Sequence, residues 1–304
     1  MAADLRPYRS SDLAVLQSLV EAPGVSEQYD LFAGPGGVER LLADPYTPTA
    51  GVRLAFADGE PAGFAYAIVL PGPPAPWAVL RGAVLPRFRR QGIGRALHEA
   101  VAAWLVNAGA IAERAIIAWQ PEPAADGFVA ALGYSHDRWM WLMERPRGSA
   151  PPPAWPQGVS VRVLDLSDAM IADWNTAYND SFAEHYRYIA SSLEHVHALA
   201  KQPGFRADGV LVAYRDGRVA GFCRNVLHPT RGEIGTLGTV RAARGIGLGR
   251  ALLRWGVQWL ERESPLPVTL LVDGGNEGAL ALYRSEGFQV TRTRRAWTRR
   301  AGGA

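Results

Sequence analysis

Cysteine and lysine are nearly absent from this chain of 304 residues. The single cysteine, Cys223, excludes a disulfide within the chain, as is usual for proteins of the reducing cytoplasm. Cys223 ends the apolar run Val219–Cys223, so we interpret it as a core residue rather than a nucleophile. Clusters of His and Cys with the spacing of metal ligands are also missing, and we therefore expect no metal site.

Long apolar segments are missing too. No run reaches the roughly 18 residues that a membrane-spanning helix needs. The first residues, Met1–Arg6, lack the basic and apolar regions of a signal peptide. Hydrophobic residues make up 48% of the chain and charged residues 20%, which leaves enough apolar surface for two domains. These features predict a cytoplasmic protein with no membrane partner.

A strong excess of charge of either sign is absent, since the formal net charge at pH 7 is +3. The most basic stretch, Arg292–Arg300, has two interpretations, a nucleic-acid contact or a half-exposed strand. Its alternation of residue types favours the strand, so we expect no nucleic-acid partner. Composition predicts no particular oligomeric state.

What the chain does contain is a strand–turn–helix pattern that occurs twice. Val84–Leu97 and Thr239–Leu252 each begin with the end of an apolar strand, pass through a turn of Arg and Gly, and continue as an apolar-periodic helix. Small residues in such a turn let backbone N–H groups converge at a helix N-terminus, where the helix dipole also favours negative charge. Both turns are therefore predicted to bind a phosphate-bearing ligand.

Two common phosphate loops are excluded by spacing. A P-loop requires a lysine after its second glycine, and the only lysine, Lys201, is near neither turn. A dinucleotide fingerprint requires GxGxxG, but its third glycine position holds Leu97 in the first turn and Arg250 or Leu252 in the second. The pattern that remains is RxxGxG. It is formed by Arg89, Gly92 and Gly94 in the first half, and by Arg244, Gly247 and Gly249 in the second.

This pattern resembles the acyl-CoA loop of the GNAT acetyltransferase superfamily, [QR]xxGx[GA] after a strand. The resemblance implies acetyl-CoA as co-substrate, with the pyrophosphate on the turn and the pantetheine beside the strand. In the second half the implied binding residues are Leu237, Gly238, Thr239, Val240, Arg244, Gly245, Ile246, Gly247, Leu248, Gly249, Arg250, Asn276 and Tyr283. In the first half they are Val84, Arg89, Gly92 and Gly94. The second turn departs from the family at Thr239, usually Val, and at Arg241, usually Pro.

A proline-rich segment divides the chain. We predict an N-terminal domain over residues 1–146, a linker over 147–157 and a C-terminal domain over 158–304. Periodicity and turn signals give both domains the element order β-α-β-β-β-α-β-α-β. This order predicts an α/β fold with a mixed sheet and helices on both faces. It is also the GNAT order, so the resemblance implies two tandem GNAT domains.

Only the second domain has the side chains that the family uses in catalysis. The segment Asn276–Phe288 resembles the GNAT signature NxxAxxLYxxxGF, in which the Asn binds the coenzyme arm and the Tyr protonates the departing thiolate. The alternative for Tyr283 is a core residue on an amphipathic helix. Aligned on the closing Gly-aromatic pairs, the first domain has Glu122 and Val129 at these positions, so it is predicted to be non-catalytic.

Glu233 is the candidate base. An amine is mostly protonated at pH 7, so a group must remove its proton before it attacks a thioester. Glu233 stands 11 residues before Arg244, and aligning the loops pairs it with Ala78. The layout is similar to that of the mycothiol synthases, a two-domain branch of the superfamily, where a Glu at this distance is the base. His228 is the competing base, and a solvated charge beside Arg231 is the structural alternative.

These features favour an N-acetyltransferase that moves an acetyl group from acetyl-CoA to a primary amine of a small molecule by direct transfer. The alternatives are an acetyl-CoA-binding sensor or scaffold, and an aminoacyl or peptidyl transferase on the same fold. The first domain either binds acetyl-CoA structurally or shapes the substrate cleft. Acceptor contacts and core packing are both open interpretations for the aromatic residues of the first helical region of domain two, which are Trp174, Tyr178, His185, Tyr186 and Tyr188.

Overall fold

The computed structural model describes residues 3–29, 32, 34–72, 76–109, 113–148, 150–202 and 204–300. Ser149 of the predicted linker lies outside the described residues. So do the first two residues of the predicted N-terminal domain and the last four of the predicted C-terminal domain. The chain divides into two compact units. Unit 1 comprises Met1–Trp139 with Thr293–Ala304, and unit 2 comprises Met140–Arg292.

The elements follow the predicted order, with further short helices. The strands are β1 (Asp4–Pro7), β2 (Arg53–Ala57), β3 (Glu60–Leu70), β4 (Trp77–Val84), β5 (Glu113–Gln120), β6 (Ser135–Arg145), β7 (Val159–Val163), β8 (Val210–Arg215), β9 (Arg218–Leu227), β10 (Gly232–Thr239), β11 (Val268–Asp273) and β12 (Gln289–Arg300). The helices are α1 (Leu13–Glu21), α2 (Gly37–Ala43), α3 (Ile93–Asn107), α4 (Pro123–Ala131), α5 (Asp168–Phe182), α6 (Leu193–Ala200), α7 (Leu248–Glu263) and α8 (Glu277–Ser285).

Each unit has a mixed sheet. In unit 1, β1 to β4 pair antiparallel in chain order and β4 pairs parallel with β5. In unit 2, β7 to β10 pair antiparallel in chain order and β10 pairs parallel with β11. The predicted hairpins turn at Asp58-Gly59 and at Asp216-Gly217, where both residues of each turn have positive φ, as a tight two-residue turn requires.

Most of the last strand of each repeat belongs to the other unit. Residues 140–145 of β6 pair antiparallel with β11 in unit 2, and residues 293–300 of β12 pair antiparallel with β5 in unit 1. The predicted domains follow the chain without a break, whereas the units exchange these strands. Both strands follow equivalent helices and have similar alternation, so the sequence pattern alone does not distinguish the two pairings.

Helices cover both faces of the unit 2 sheet. One face packs on α7 through Leu252, Val257 and Leu260, and the other packs on α5 through Met170 and Trp174. Cys223 is fully buried in this core, which confirms its interpretation as a packing residue, and burial raises the pKa of its thiol. None of the described helices combines the length and the apolarity that crossing a bilayer requires.

Gly256 lies where α7 packs closely on the sheet. A Cβ at Gly256 would lie 2.7 Å from Ile234 Cδ1 and 2.8 Å from Cys223 Sγ. Alanine is the better helix former, yet we expect Gly256→Ala to lower the free energy of unfolding by about 1–3 kcal/mol because of overpacking. The control is Gly127→Ala in α4, where a Cβ would meet nothing within 4 Å. Urea unfolding of both variants measures the difference, and equal effects would contradict the packing argument.

Candidate active site

The two predicted phosphate loops have the same backbone form. In unit 2 the chain leaves β10, makes a short 3-10 turn and enters α7 through Gly245 (φ +79°) and Gly247 (φ +89°). In unit 1 the equivalent residues are Arg90 (φ +66°) and Gly92 (φ +83°). A Cβ at Gly247 or Gly92 would meet no atom within 4 Å. Each helix N-terminus therefore faces open space, as an anion site requires.

The arginine of each RxxGxG pattern donates hydrogen bonds to backbone carbonyl groups of the protein. Arg89 Nε donates to Val84 O at 3.1 Å, and its Nη2 donates to Gly24 O at 2.9 Å. Arg244 Nε donates to Thr239 O at 3.5 Å, and its Nη2 donates to Ser181 O at 3.3 Å. Both side chains thus hold the end of the preceding strand, and we assign them to loop positioning.

A backbone hydrogen bond explains why Arg241 stands where the family usually has proline. Its backbone N–H, which proline lacks, donates to Asp180 Oδ1 at 2.8 Å. Its guanidinium pairs with Glu184, and so does Arg244 Nη1 at 3.1 Å. The hydrogen bond from Arg244 and the charge of Arg241 hold the pKa of Glu184 below its ordinary value. The C-terminal end of α5 is therefore tied to the second loop.

Arg250 points toward α8. It pairs with Glu286, a buried carboxylate that Arg254 Nε also contacts at 2.8 Å, and it donates to Ser285 Oγ at 3.0 Å. A Cβ at Gly249 would lie 3.8 Å from Leu282 Cδ2 and equally far from Thr239 Cγ2. The loop, the end of β10 and α8 therefore meet at one place in unit 2.

The β10 strand has an open edge beside the loop. Its parallel pairing with β11 covers only Gly232–Ile234, whereas its pairing with β9 continues to Thr239. Among the described residues no strand therefore pairs with the other edge of β10 from Gly235 to Thr239. The backbone groups of Leu237, Gly238 and Thr239 on that edge are available to an extended ligand.

A β-bulge distinguishes β10 from β4. The register of β10 on β9 shifts between Ile234 and Thr236, whereas β4 pairs with β3 without a shift. The bulge adds one residue to β10. The predicted alignment on the loops, which pairs Glu233 with Ala78, is therefore wrong by one residue. Glu233 lies opposite Thr269, and the equivalent pair in unit 1 is Val79 opposite Ala115. The counterpart of Glu233 is therefore Val79, which is also apolar.

Glu233 is a mostly buried carboxylate between Arg231 and His228. Its Oε2 atom lies 3.2 Å from Arg231 Nε and 3.5 Å from His228 Nε2. Burial alone would raise the pKa of Glu233, but His228 and Arg231 outweigh it and the pKa is lowered. The carboxylate is therefore ionised at neutral pH and can accept a proton. Both predicted candidates for the base, Glu233 and His228, belong to this one cluster.

Tyr283 and Asn276 lie on α8. Burial raises the pKa of Tyr283 to about 12, so its phenol keeps its proton at neutral pH. Asn276 is the N-cap of α8, because its Oδ1 accepts the Ala279 N–H at 3.1 Å. Its amide nitrogen then remains the donor for a ligand. In unit 1 the position of Tyr283 is filled by Val129, which is 1% exposed in an apolar cluster.

The aromatic residues that were candidates for acceptor contacts lie in different surroundings. No hydrogen bond joins Glu233 to Tyr283 among the described residues. Trp174 and Tyr178 pack in the core, whereas Tyr186 is exposed. Tyr188 donates to Asn179 Oδ1 at 2.7 Å, and burial lowers the pKa of His185.

Sequence reasoning missed Arg224, a charged residue that follows the apolar run of β9 and precedes Asn225. A charge in the middle of a strand was the signal that could have found it. In the described part of the chain no group of three or more His, Cys, Asp or Glu is placed to hold a metal ion.

Comparison with known families and relatives matches both halves of the chain. The model of the acetyltransferase (GNAT) family matches residues 23–134 and 168–288. The mycothiol acetyltransferase of Salinispora arenicola is 34% identical over 257 residues, which cover 81% of this chain and 80% of the relative. The mycothiol acetyltransferase of Thermobispora bispora is 32% identical over 286 residues, covering 91% and 90%.

Solved structures agree in fold. A GCN5-related N-acetyltransferase from Sphaerobacter thermophilus superposes with a TM-score of 0.76 at 23% identity, covering 98% of this chain and 95% of that one. A tandem GNAT protein from the clavulanic acid biosynthesis pathway gives a TM-score of 0.76 at 20% identity, with both chains covered completely. The predicted tandem α/β fold, and an enzyme that transfers acetyl from acetyl-CoA to an amine, are confirmed. The chain belongs to the acetyltransferase (GNAT) family.

Proposed function

We propose that unit 2 transfers the acetyl group of acetyl-CoA directly to a primary amine of a small molecule, within a ternary complex. The observation that carries this proposal is the asymmetry of the repeat. Both units have the loop, but an ionised carboxylate beside a β-bulge and a protonated tyrosine on the following helix occur together in unit 2. At the equivalent places unit 1 has Val79 and Val129.

The coenzyme is held by the backbone. In this proposal the N–H groups from Gly245 to Arg250 bind the pyrophosphate at the start of α7. The pantetheine arm pairs with Leu237–Val240 along the open edge of β10, and the amide nitrogen of Asn276 donates to it. The loop of unit 1, with Val84, Arg89, Gly92 and Gly94, binds a second acetyl-CoA without turning it over.

The chemistry needs one base and one acid. Glu233 takes a proton from the acceptor ammonium, and the amine nitrogen then attacks the thioester carbon. A backbone N–H on the open edge of β10 stabilises the oxyanion that forms, an effect of roughly 3 kcal/mol per donor. As the C–S bond breaks, Tyr283 gives its proton to the sulfur and free coenzyme A leaves. The nitrogen of the new amide still carries one extra proton, which it passes to the phenolate of Tyr283.

The first test is a screen of primary amines with acetyl-CoA, read as release of free thiol. The relatives named mycothiol acetyltransferase support a small-molecule amine as acceptor. We expect turnover with at least one amine. Tight acetyl-CoA binding without thiol release for any amine would instead support the sensor alternative.

Glu233→Gln is expected to reduce kcat/KM most at low pH and least near the pKa of the acceptor amine. In the native protein burial opposes ionisation, but His228 and Arg231 lower the pKa of Glu233, so its own titration lies below the neutral range. Without the base only free amine reacts, and the free fraction falls about tenfold for each pH unit below the amine pKa. A kcat/KM profile from about pH 6 to about pH 10 measures this effect.

His228→Gln is the matched comparison for the base. It keeps a hydrogen-bonding side chain beside Glu233 but removes the imidazole. If Glu233 is the base, His228→Gln keeps the alkaline side of the native pH profile and moves only the acidic side to higher pH, because His228 helps to lower the pKa of Glu233. A loss in Glu233→Gln that is equal at every pH would assign Glu233 a structural role and transfer the base to His228.

A further inference from the structure

Arg224 is a half-buried cation for which the structure shows no hydrogen-bonded partner. It lies at the centre of β9 between Cys223 and Asn225, both of which are buried. Its Nε atom is shielded from solvent and has no hydrogen-bond partner. Among the described residues its guanidinium forms neither a hydrogen bond nor an ion pair within 4.0 Å. A guanidinium stays charged in proteins, and leaving its shielded Nε donor unpaired is costly.

The register places Arg224 on the same face as the candidate base. Arg224 lies opposite Thr236, and Val226, two residues further along β9, lies opposite Glu233. Residues that face each other in an antiparallel pair point to the same side of the sheet. A Cβ at Gly235 would lie 3.6 Å from Arg224 Nη1, so the guanidinium lies beside the bulge.

This face is the one that α5 covers. A Cβ at Gly238 would lie 2.6 Å from Ser181 Cβ on α5 and 3.0 Å from Phe222 Cε1. Phe222 precedes Arg224 by two residues in β9, so both side chains project toward the α5 side of the sheet. Arg224 and Glu233 therefore share the region between the sheet and α5.

Neutralising Glu233 does not account for Arg224. Glu233 already has Arg231 at 3.2 Å and His228 at 3.5 Å. The cluster thus holds two guanidinium groups and one carboxylate. The fold does not require an arginine here either, because the equivalent residue of unit 1 is Tyr66, which faces Arg81 as Arg224 faces Thr236. Tyr66 is 1% exposed in the unit 1 core.

We propose that Arg224 binds a carboxylate of the acceptor, so that the acceptor is a small amine that carries a carboxylate near its amino group. The inference rests on the proposed function, because it places the acceptor ammonium at Glu233. A planar guanidinium matches a carboxylate with two parallel hydrogen bonds. Arg224 and Glu233 are diagonal neighbours on paired strands, whose backbones are about 7–8 Å apart, so both side chains can contact the same small acceptor.

The test compares amino acids with their amides as acceptors. Each amide keeps the amino group and the side chain but loses the negative charge. With the native protein we expect kcat/KM to be at least about tenfold higher for the best acid than for its amide, since a partly buried guanidinium discriminates strongly against a neutral group. Initial rates of thiol release with acetyl-CoA measure the ratio.

Arg224→Met and Arg224→Lys are the diagnostic variants. Methionine keeps an unbranched apolar stem and removes a charge whose burial opposes folding, so we expect the variant to fold. It should lower kcat/KM for the acid by about 100-fold and leave the amide within about threefold, which abolishes the preference. Lysine keeps the charge but not the planar fork, so it should restore part of the preference.

Three results would overturn the inference. The first is an equal loss for acid and amide in Arg224→Met, which would make Arg224 a positioning residue for Glu233. The second is native turnover of amines with no preference for acids, in which case the proposed function stands alone. The third is a preference for succinyl-CoA over acetyl-CoA that Arg224→Met removes, which would place the carboxylate on the donor.

A binding experiment separates this inference from the proposed function. Calorimetric titration of the same acid and amide into the protein with coenzyme A needs no turnover. Acid binding that Arg224→Met removes would support the anion site even if no amine is acetylated. Equal affinity of the native protein for acid and amide would contradict the site whether or not the enzyme turns over.

Discussion

Tyr283→Phe is expected to lower turnover by about 10²–10³-fold and to leave the affinity for acetyl-CoA unchanged. The substitution keeps the ring, which lies 6.1 Å from that of Phe288, and removes only the hydroxyl. Because burial raises the pKa of Tyr283 to about 12, the native phenol holds its proton at neutral pH. It gives this proton to the sulfur while the C–S bond breaks, and the phenolate takes a proton back from the nitrogen of the new amide. Thiol release measures kcat, and equilibrium titration measures acetyl-CoA binding.

Tyr214→Phe is the control for loss of a tyrosine hydroxyl in unit 2. Tyr214 donates to Asp173 Oδ2 at 2.9 Å and is not part of the loop, the bulge or α8. We expect native turnover in this variant. Native turnover in Tyr283→Phe as well would remove the acid from the mechanism, and Tyr283 would then have a packing role only.

Local features of the site were predictable from the sequence. A helix N-terminus preceded by glycines with positive φ is set by a few neighbouring residues, so RxxGxG was enough to place both loops. The hairpins at Asp58-Gly59 and Asp216-Gly217 are local in the same sense. Tyr283 was placed on its helix by the spacing between Asn276 and Gly287, and the structure shows that Asn276 begins that helix.

Features that depend on pairing between distant strands were not predictable. The bulge at Gly235 shifts the counterpart of Glu233 from Ala78 to Val79, and nothing in the local pattern marks an extra residue. The exchange of the last strands depends on which edge each strand meets. The roles of Arg89 and Arg244 depend on carbonyl groups of residues such as Gly24 and Ser181, far away in the chain. The roles of Glu233 and Tyr283 in catalysis remain predictions.

Gly247→Ala is expected to raise the KM for acetyl-CoA by at least about 100-fold, because a methyl group would occupy the space through which phosphate oxygens reach the N–H groups of α7. A Cβ at Gly247 meets no protein atom within 4 Å, so the protein itself does not exclude it. The cost to folding is the strain of an L-residue at φ +89°, about 1–2 kcal/mol. Kinetics with varied acetyl-CoA measure the effect on binding.

Two matched variants separate backbone strain from phosphate binding. Gly217→Ala adds a Cβ at a φ of +74° in a hairpin turn, again with nothing within 4 Å, so it has a similar strain at a place remote from the loop. It should lose a similar amount of stability in urea unfolding while its KM stays native.

Gly92→Ala makes the same change in the loop of unit 1, at φ +83°. Since unit 1 has Val129 where the acid is needed, we expect this variant to retain most of the turnover. If Gly92→Ala abolished turnover and Gly247→Ala did not, unit 1 would be the catalytic half, and the assignments of Glu233 and Tyr283 would both be wrong.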